Sequence, residues 1–181
     1  MEDLIIIGGG PAGIMAAIQS ARAGKNPLII EKNPSIGKKI LVSGNGRCNL
    51  TNKYLNLNKY GGDRNFLKKV FEKFNNNSLI GFFDNLGVRL KEEGYGRILP
   101  VTEQSATILD SLIGELEFLN VRVNHKEEVQ KITGEKNGVF KVKTAKASYQ
   151  SKKIVMCVGG CSYPQLGSTK KGFDLARDLG H

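Results

Sequence analysis

The pattern of apolar and polar positions is clearest at the start of the chain. Leu4-Ile5-Ile6-Ile7 is an unbroken, largely β-branched run that stops at glycine, the signature of a strand covered on both faces within a parallel sheet. Pro11 to Ala23 then sets Ile14, Ala17, Ile18 and Ala21 at helical spacing, and Gly24 ends the helix. Pro27 to Ile30 is a second apolar strand. Residues 4–31 therefore predict a βαβ unit, a connection that is right-handed almost without exception.

Between Asn33 and Gly62 the periodicity fades into Gly, Asn, Lys and Ser, which predicts a long functional loop over residues 33–62. A largely helical segment, 65–119, follows. Asn65 to Phe74 and Ser78 to Leu86 are amphipathic, with Ser78 expected as N-cap and Gly87 just past the end. Short extended pieces are expected at Val88–Leu90 and Arg97–Leu99. Gln104 to Leu119 is a third helix, with Ile108, Leu109, Leu112, Ile113 and Leu116 as its buried stripe. Val121–Asn124 predicts another sheet strand. The region 127–151 reads as a three-stranded antiparallel meander (Val129–Thr133, Val139–Thr144, Ala147–Gln150), with Asn137-Gly138 as a hairpin signal. Ile154–Val158 is again wholly apolar, and a helix begins at Gly172. A parallel sheet whose next helix has scarcely begun predicts that residues 1–181 are the first part of a longer domain.

Composition narrows the classes. With 40% hydrophobic and 24% charged residues, the chain can build an ordinary globular core. Its longest apolar runs are far shorter than the roughly 20 residues needed to span a bilayer. No secretory leader is visible, and three cysteines without C-x-x-C spacing argue against a disulfide scaffold, so a reducing cytoplasm is the expected compartment. The net charge of +10 is one footprint of nucleic-acid binding. The lysines, however, are dispersed and form no run of five, which argues for a solvated basic surface. Two histidines offer no metal spacing, His125 is expected at the surface, and neither a nucleophile elbow nor a P-loop is present.

The chemistry-bearing motif is Gly8-Gly9-Gly10-Pro11-Ala12-Gly13, placed directly after a strand and directly before a helix. Glycines at this spacing permit a tight turn, let backbone approach a diphosphate, and let helix and strand pack closely. The unpaired amides of the helix start favour the diphosphate charge. Glu31 closes the second strand about twenty residues on, where a carboxylate suits an adenosine ribose and disfavours a 2′-phosphate, which leaves FAD and NAD. A second stretch, Gly37-Lys38-Lys39-Ile40 through Ser43-Gly44-Asn45-Gly46-Arg47-Cys48-Asn49-Leu50-Thr51-Asn52, combines small residues with a cation and several amides and hydroxyls, a mix suited to a phosphate and sugar chain or to a polar surface loop.

That second stretch resembles the BaiN-type flavoproteins, bacterial FAD-dependent oxidoreductases that include aminoacetone-oxidase-like and bile-acid-reductase-like proteins. Gly96-Arg97-Ile98-Leu99-Pro100-Val101-Thr102 and Gly159-Gly160-Cys161-Ser162-Tyr163-Pro164-Gln165-Leu166-Gly167-Ser168-Thr169 are similar to the same family. The resemblance implies an α/β, Rossmann-like FAD-binding domain of the glutathione-reductase type, a parallel sheet with a three-stranded antiparallel meander as crossover. It implies FAD, with Gly8, Gly10, Pro11, Ala12 and Gly13 at the diphosphate and Glu31 at the adenosine ribose. Lys32 and Lys39 would lie near the adenosine half, and Val129 backbone would meet the adenine. Arg47, Cys48 and Asn49 would run toward the ribityl chain and flavin, and Gly159 would end the last strand beside the cofactor. For Cys48, packing or lining of the cofactor is the expected role. Where the family shows Gly-Asp-Gly, this chain has Lys170-Lys171-Gly172. Family members are also longer, so the inserted substrate domain and the C-terminal FAD segment are expected to lie outside these residues.

The function implied is electron or hydride transfer through flavin to a small molecule, with NAD(P)H open as reductant and no residue assigned as acid or base. Two alternatives stand beside it: a flavin-dependent tRNA-modifying protein, which the charge would suit, and an inactive nucleotide-binding fragment that holds FAD weakly.

Overall fold

A computed structural model describes residues 1–134 and 138–181. In chain order the elements are β1 (Leu4–Ile7), α1 (Pro11–Arg22), β2 (Pro27–Ile30), α2 (Lys38–Val42), β3 (Thr51–Asn52), α3 (Arg64–Lys73), α4 (Asn76–Asn85), β4 (Leu90–Glu93), β5 (Arg97–Pro100), α5 (Ser105–Phe118), β6 (Arg122–Asn124), β7 (Val129–Gly134), β8 (Phe140–Thr144), β9 (Ser148–Ser151), β10 (Ile154–Met156) and α6 (Lys171–Arg177). They form two compact units, residues 1–39 with 113–181, and residues 40–112.

The first unit is built on a parallel sheet of order β10-β1-β2-β6. All four residues of β1 and all four of β2 are buried, as expected of central parallel strands covered on both sides. Side chains alternate across the sheet. Ile5, Ile7, Leu28 and Ile30 face one side, where they pack with Val129, Ile132 and Val142 of the meander and Leu175 of α6. Ile6 and Ile29 point to the opposite side, and α1 packs on these strands with Ile14, Ala17 and Ile18 fully buried. The meander β7-β8-β9 is antiparallel, with a bulge between Val129 and Lys131. Of the Asn137-Gly138 hairpin signal, Asn137 lies outside the described residues; β7 and β8 pair as the pattern predicts.

Helix α1 starts very close to the turn that precedes it. A Cβ on Gly13 would stand 1.9 Å from the Gly8 carbonyl oxygen and 3.3 Å from Cys157 Cβ. Only a residue without a side chain lets the helix start sit this near the end of β1.

The second unit contains the antiparallel sheet β3-β5-β4 and the helices α3 and α4. The stretch expected as one long loop includes α2, a tight turn at Ser43–Gly46, β3 and a further turn at Leu57–Lys59. Elements of two to five residues are too short to leave a hydrophobic period, so the sequence pattern cannot mark them. Helix α4 begins earlier than expected. Asn75 caps it by accepting the Ser78 amide proton at 3.0 Å, which leaves Ser78 inside the first turn. Asparagine and serine cap about equally well, and the upstream residue takes the position.

A charge cluster ties the Ser43–Asn49 turn to β4 and to the residues after β5. Arg47 Nη2 lies 2.7 Å from Glu93 Oε1 and 2.8 Å from Glu103 Oε2. Lys91 pairs with Glu103, and Arg97 lies 3.2 Å from Glu93 Oε2. The Arg47 hydrogen bond holds the Glu93 carboxyl below the usual range, and the Lys91 ammonium does the same for Glu103.

Two outcomes follow from these contacts. Gly13→Ala must push α1 off the glycine turn, and should lower stability by about 3 kcal/mol or more in urea denaturation. Because both glutamates are held ionised in the fold, their contribution is present above the unfolded glutamate value near ~4.3 and is lost as pH falls through their lower folded values. Protection factors of the β4 and β5 amides should thus fall on acidification below about pH 4, and Arg47→Met should remove the share of that dependence that comes from Glu93.

Candidate dinucleotide site

Within the first unit, the end of β1, the glycine turn and the start of α1 open onto a cavity of about 330 Å³. The end of β2, the approach to β7, the exit of β10 and the segment 166–172 complete its walls. This is the crevice beyond the carboxyl ends of parallel strands, where open α/β sheets place their ligands.

Helix α1 starts at Pro11, whose missing N–H costs nothing at that position, and its cap residue Gly10 is extended. A Cβ on Gly10 would meet nothing within 4 Å, so backbone here faces open space. No acidic side chain occupies the first turn, which leaves the amide-rich, positive end of the helix to an anion.

Glu31 is buried and lines this cavity. Its Oε2 accepts the Gly9 amide proton at 2.6 Å, while Oε1 accepts both the Asn33 amide and the Asn33 Nδ2 proton at 2.7 Å. The carboxylate expected at the ribose therefore first organises the protein: it fastens the glycine turn to the end of β2. The backbone of Glu31 also bonds Asn124 and Glu127, which joins β2 to the chain leaving β6.

Several sequence-assigned residues come together here. Gly8, Gly10, Pro11, Ala12, Glu31, Lys32, Lys39, Val129 and Gly159 all line the cavity. Gly13 does not line it and acts instead through the close approach to Gly8. Arg47, Cys48 and Asn49 belong to the second unit and are not among the lining residues. Arg47 is engaged by Glu93 and Glu103; Cys48 is buried in a left-handed conformation (φ 55°), and burial pushes its thiol up. His125 is exposed, as expected.

The residues that sequence reasoning left unassigned are polar. Glu127 is buried and accepts protons from Thr144 at 2.6 Å and Tyr149 at 2.9 Å. Burial, and then that bond to Glu127, raises the Tyr149 phenol. Lys171 lies 3.0 Å from Glu128 Oε2, so the lysine that replaces an expected acidic position has an acidic partner. Lys32 Nζ reaches Thr169 Oγ1 at 3.5 Å. Cys157 also lines the cavity, and burial raises its thiol. None of these residues sits in a local motif whose spacing reveals its partner.

Among the described residues, no cluster of three His, Cys, Asp or Glu side chains could hold a metal, and no helix is long and apolar enough to cross a membrane. Four lysines (Lys32, Lys38, Lys39, Lys171) and three glutamates line a cavity that also holds a helix start. This arrangement can hold a ligand with an anionic middle and a polar, sugar-like end.

Comparison with known proteins agrees with that geometry. The chain is 36% identical over 184 residues to the 3-dehydro-bile acid delta(4,6)-reductase of Clostridium scindens, covering 100% of this chain and 44% of the relative. It is 31% identical over 179 residues to the ribosomal RNA dihydrouridine synthase of Escherichia coli, covering 98% of this chain and again 44% of the relative. It thus spans less than half the length of the curated relatives it matches. Among solved structures, the open conformation of a flavocytochrome c3 fumarate reductase superposes with a TM-score of 0.67 at 17% identity, over 99% of this chain and 40% of that one. Matched by the HI0933-like protein Rossmann domain across residues 2–181, the chain belongs to that family, and its fold is the Rossmann-type fold that binds FAD.

Proposed function

We propose that this chain is the FAD-binding part of a flavin-dependent oxidoreductase, and that the cavity of the first unit holds the adenosine diphosphate portion of the cofactor. One observation carries the reading: Gly10 backbone faces open space at the start of α1, in a turn that Glu31 pins from below. The diphosphate lies against the α1 amides, the ribose near Glu31 and Lys32, and the adenine against Val129 backbone. Lys39 lies near the adenosine half, and Gly159 lies beside the cofactor after the end of β10. Arg47, Cys48 and Asn49 are assigned to the ribityl and flavin half by resemblance to BaiN-type proteins.

Bound flavin supplies the electron or hydride transfer, and the protein supplies binding, orientation and electrostatics. The α1 start offsets the diphosphate charge, the Glu31 bond keeps the turn in shape, and the apolar wall of Ile7, Met156 and Val158 excludes water from one side of the ligand. The substrate of the whole protein is a small molecule, as the bile-acid reductase relative suggests.

A second reading has its own support. The net charge of +10 and the 31% identity to a ribosomal RNA dihydrouridine synthase favour an RNA substrate for the same flavin. The two readings part on salt. An RNA-modifying protein should lose RNA affinity steeply and log-linearly as salt rises, whereas weak binding without that slope leaves the small-molecule reading.

The cofactor assignment has a direct check. Full-length protein should purify with a flavin absorption band, and the flavin released by denaturation should be FAD. Gly10→Glu places a carboxylate in open space and so spares the fold, yet it meets the diphosphate. With Glu31 left in place, this single change should reduce FAD affinity by about 100-fold or more, measured by fluorescence titration of the apoprotein.

A further inference from the structure

The end of β2 carries an imbalance between what the protein offers and what it has used. Ser168 is only 7% exposed, lines the cavity, and its hydroxyl has no hydrogen-bond partner in the structure. A buried hydroxyl left unpaired costs free energy, so such a group calls for an explanation. Position explains it. Next to Ser168, Thr169 receives the Lys32 ammonium at 3.5 Å. On the other side, a Cβ on Gly167 (φ 93°) would stand 3.0 Å from both polar atoms of the Asn33 amide. The segment 167–169 is therefore laid directly against Lys32 and Asn33, and it shares the cavity wall with Glu31.

The ligand has the complementary need. A carboxylate offers about four acceptor positions. Glu31 has already given three of them to Gly9 and Asn33. It has room for one ribose hydroxyl and little more. An adenosine ribose carries two adjacent hydroxyls, and in a site this enclosed the second requires another protein partner.

We propose that Ser168 is that partner, a cofactor-binding residue that hydrogen-bonds the adenosine ribose of the dinucleotide beside Glu31. The assignment rests on the FAD reading above and adds to it a residue on the far side of the sugar. A hydroxyl both donates and accepts, so Ser168 can complement the hydroxyl that Glu31 does not take. Lys32 and Thr169 hold the segment in place.

The test compares wild-type and Ser168→Ala full-length protein, stripped of flavin and titrated with FAD, alongside thermal unfolding of both apoproteins. FAD affinity should fall about tenfold, the worth of one buried hydrogen bond. The apoprotein Tm should stay level or rise, because the variant removes an unsatisfied group and leaves only a methyl in its place. Unchanged FAD affinity would overturn the assignment. So would an apoprotein Tm that drops by several degrees together with the affinity, since that pattern belongs to a residue that merely supports the fold. If wild-type protein takes up no FAD under any condition, the reading beneath this one falls as well, and the two failures are told apart by the wild-type titration alone.

Discussion

Glu31 accepts the Gly9 amide proton at 2.6 Å from a buried position, and three parts of the first unit meet at that bond. The glycine turn hangs from it, the end of β2 is continued by it through Asn33, and the chain leaving β6 is tied to the same residue by backbone. A carboxylate inside a protein is tolerated only where N–H donors satisfy it, and backbone donors cannot move away as side chains can. The charge thus fixes the turn, and the fixed turn aims the amides of α1 outward. The fold and the binding capacity share this single constraint.

Much of this architecture was legible in the residues themselves. The strands β1, β2 and β10, helix α1 and the three-stranded meander follow from long or strongly patterned stretches, and the glycine spacing with Glu31 marks the ligand end of the sheet. What escaped has a common cause. Helix α2, β3 and the turns around them are too short for a hydrophobic period to repeat. The helix α4 cap is decided by which of two competent residues, Asn75 or Ser78, comes first. The bond from Gly9 to Glu31 and the position of Ser168 depend on contacts across 22 and more residues of sequence, which no local pattern records. Residue type points Glu31 at a sugar; only the fold shows how much of its capacity the protein itself consumes.

Arg47 offers a similar lesson in the second unit. A lone arginine in a Gly- and Asn-rich loop invites assignment to an anionic ligand. In the structure two carboxylates already hold it, while Lys91 and Arg97 share those same carboxylates. A chain with a +10 surplus can thus still balance its charges locally where geometry matters. A net charge of this kind bears on solubility and association and does not dictate the fold.

The contact of Gly13 with the Gly8 carbonyl has a bearing on binding entropy. A helix start pressed this tightly against its strand cannot rock independently, so the amide groups are ordered when the chain folds and not when a ligand arrives. Association then requires little loss of backbone freedom, and more of the electrostatic attraction appears as affinity. A missing side chain, one methyl group's worth of space, is what makes the receptor rigid.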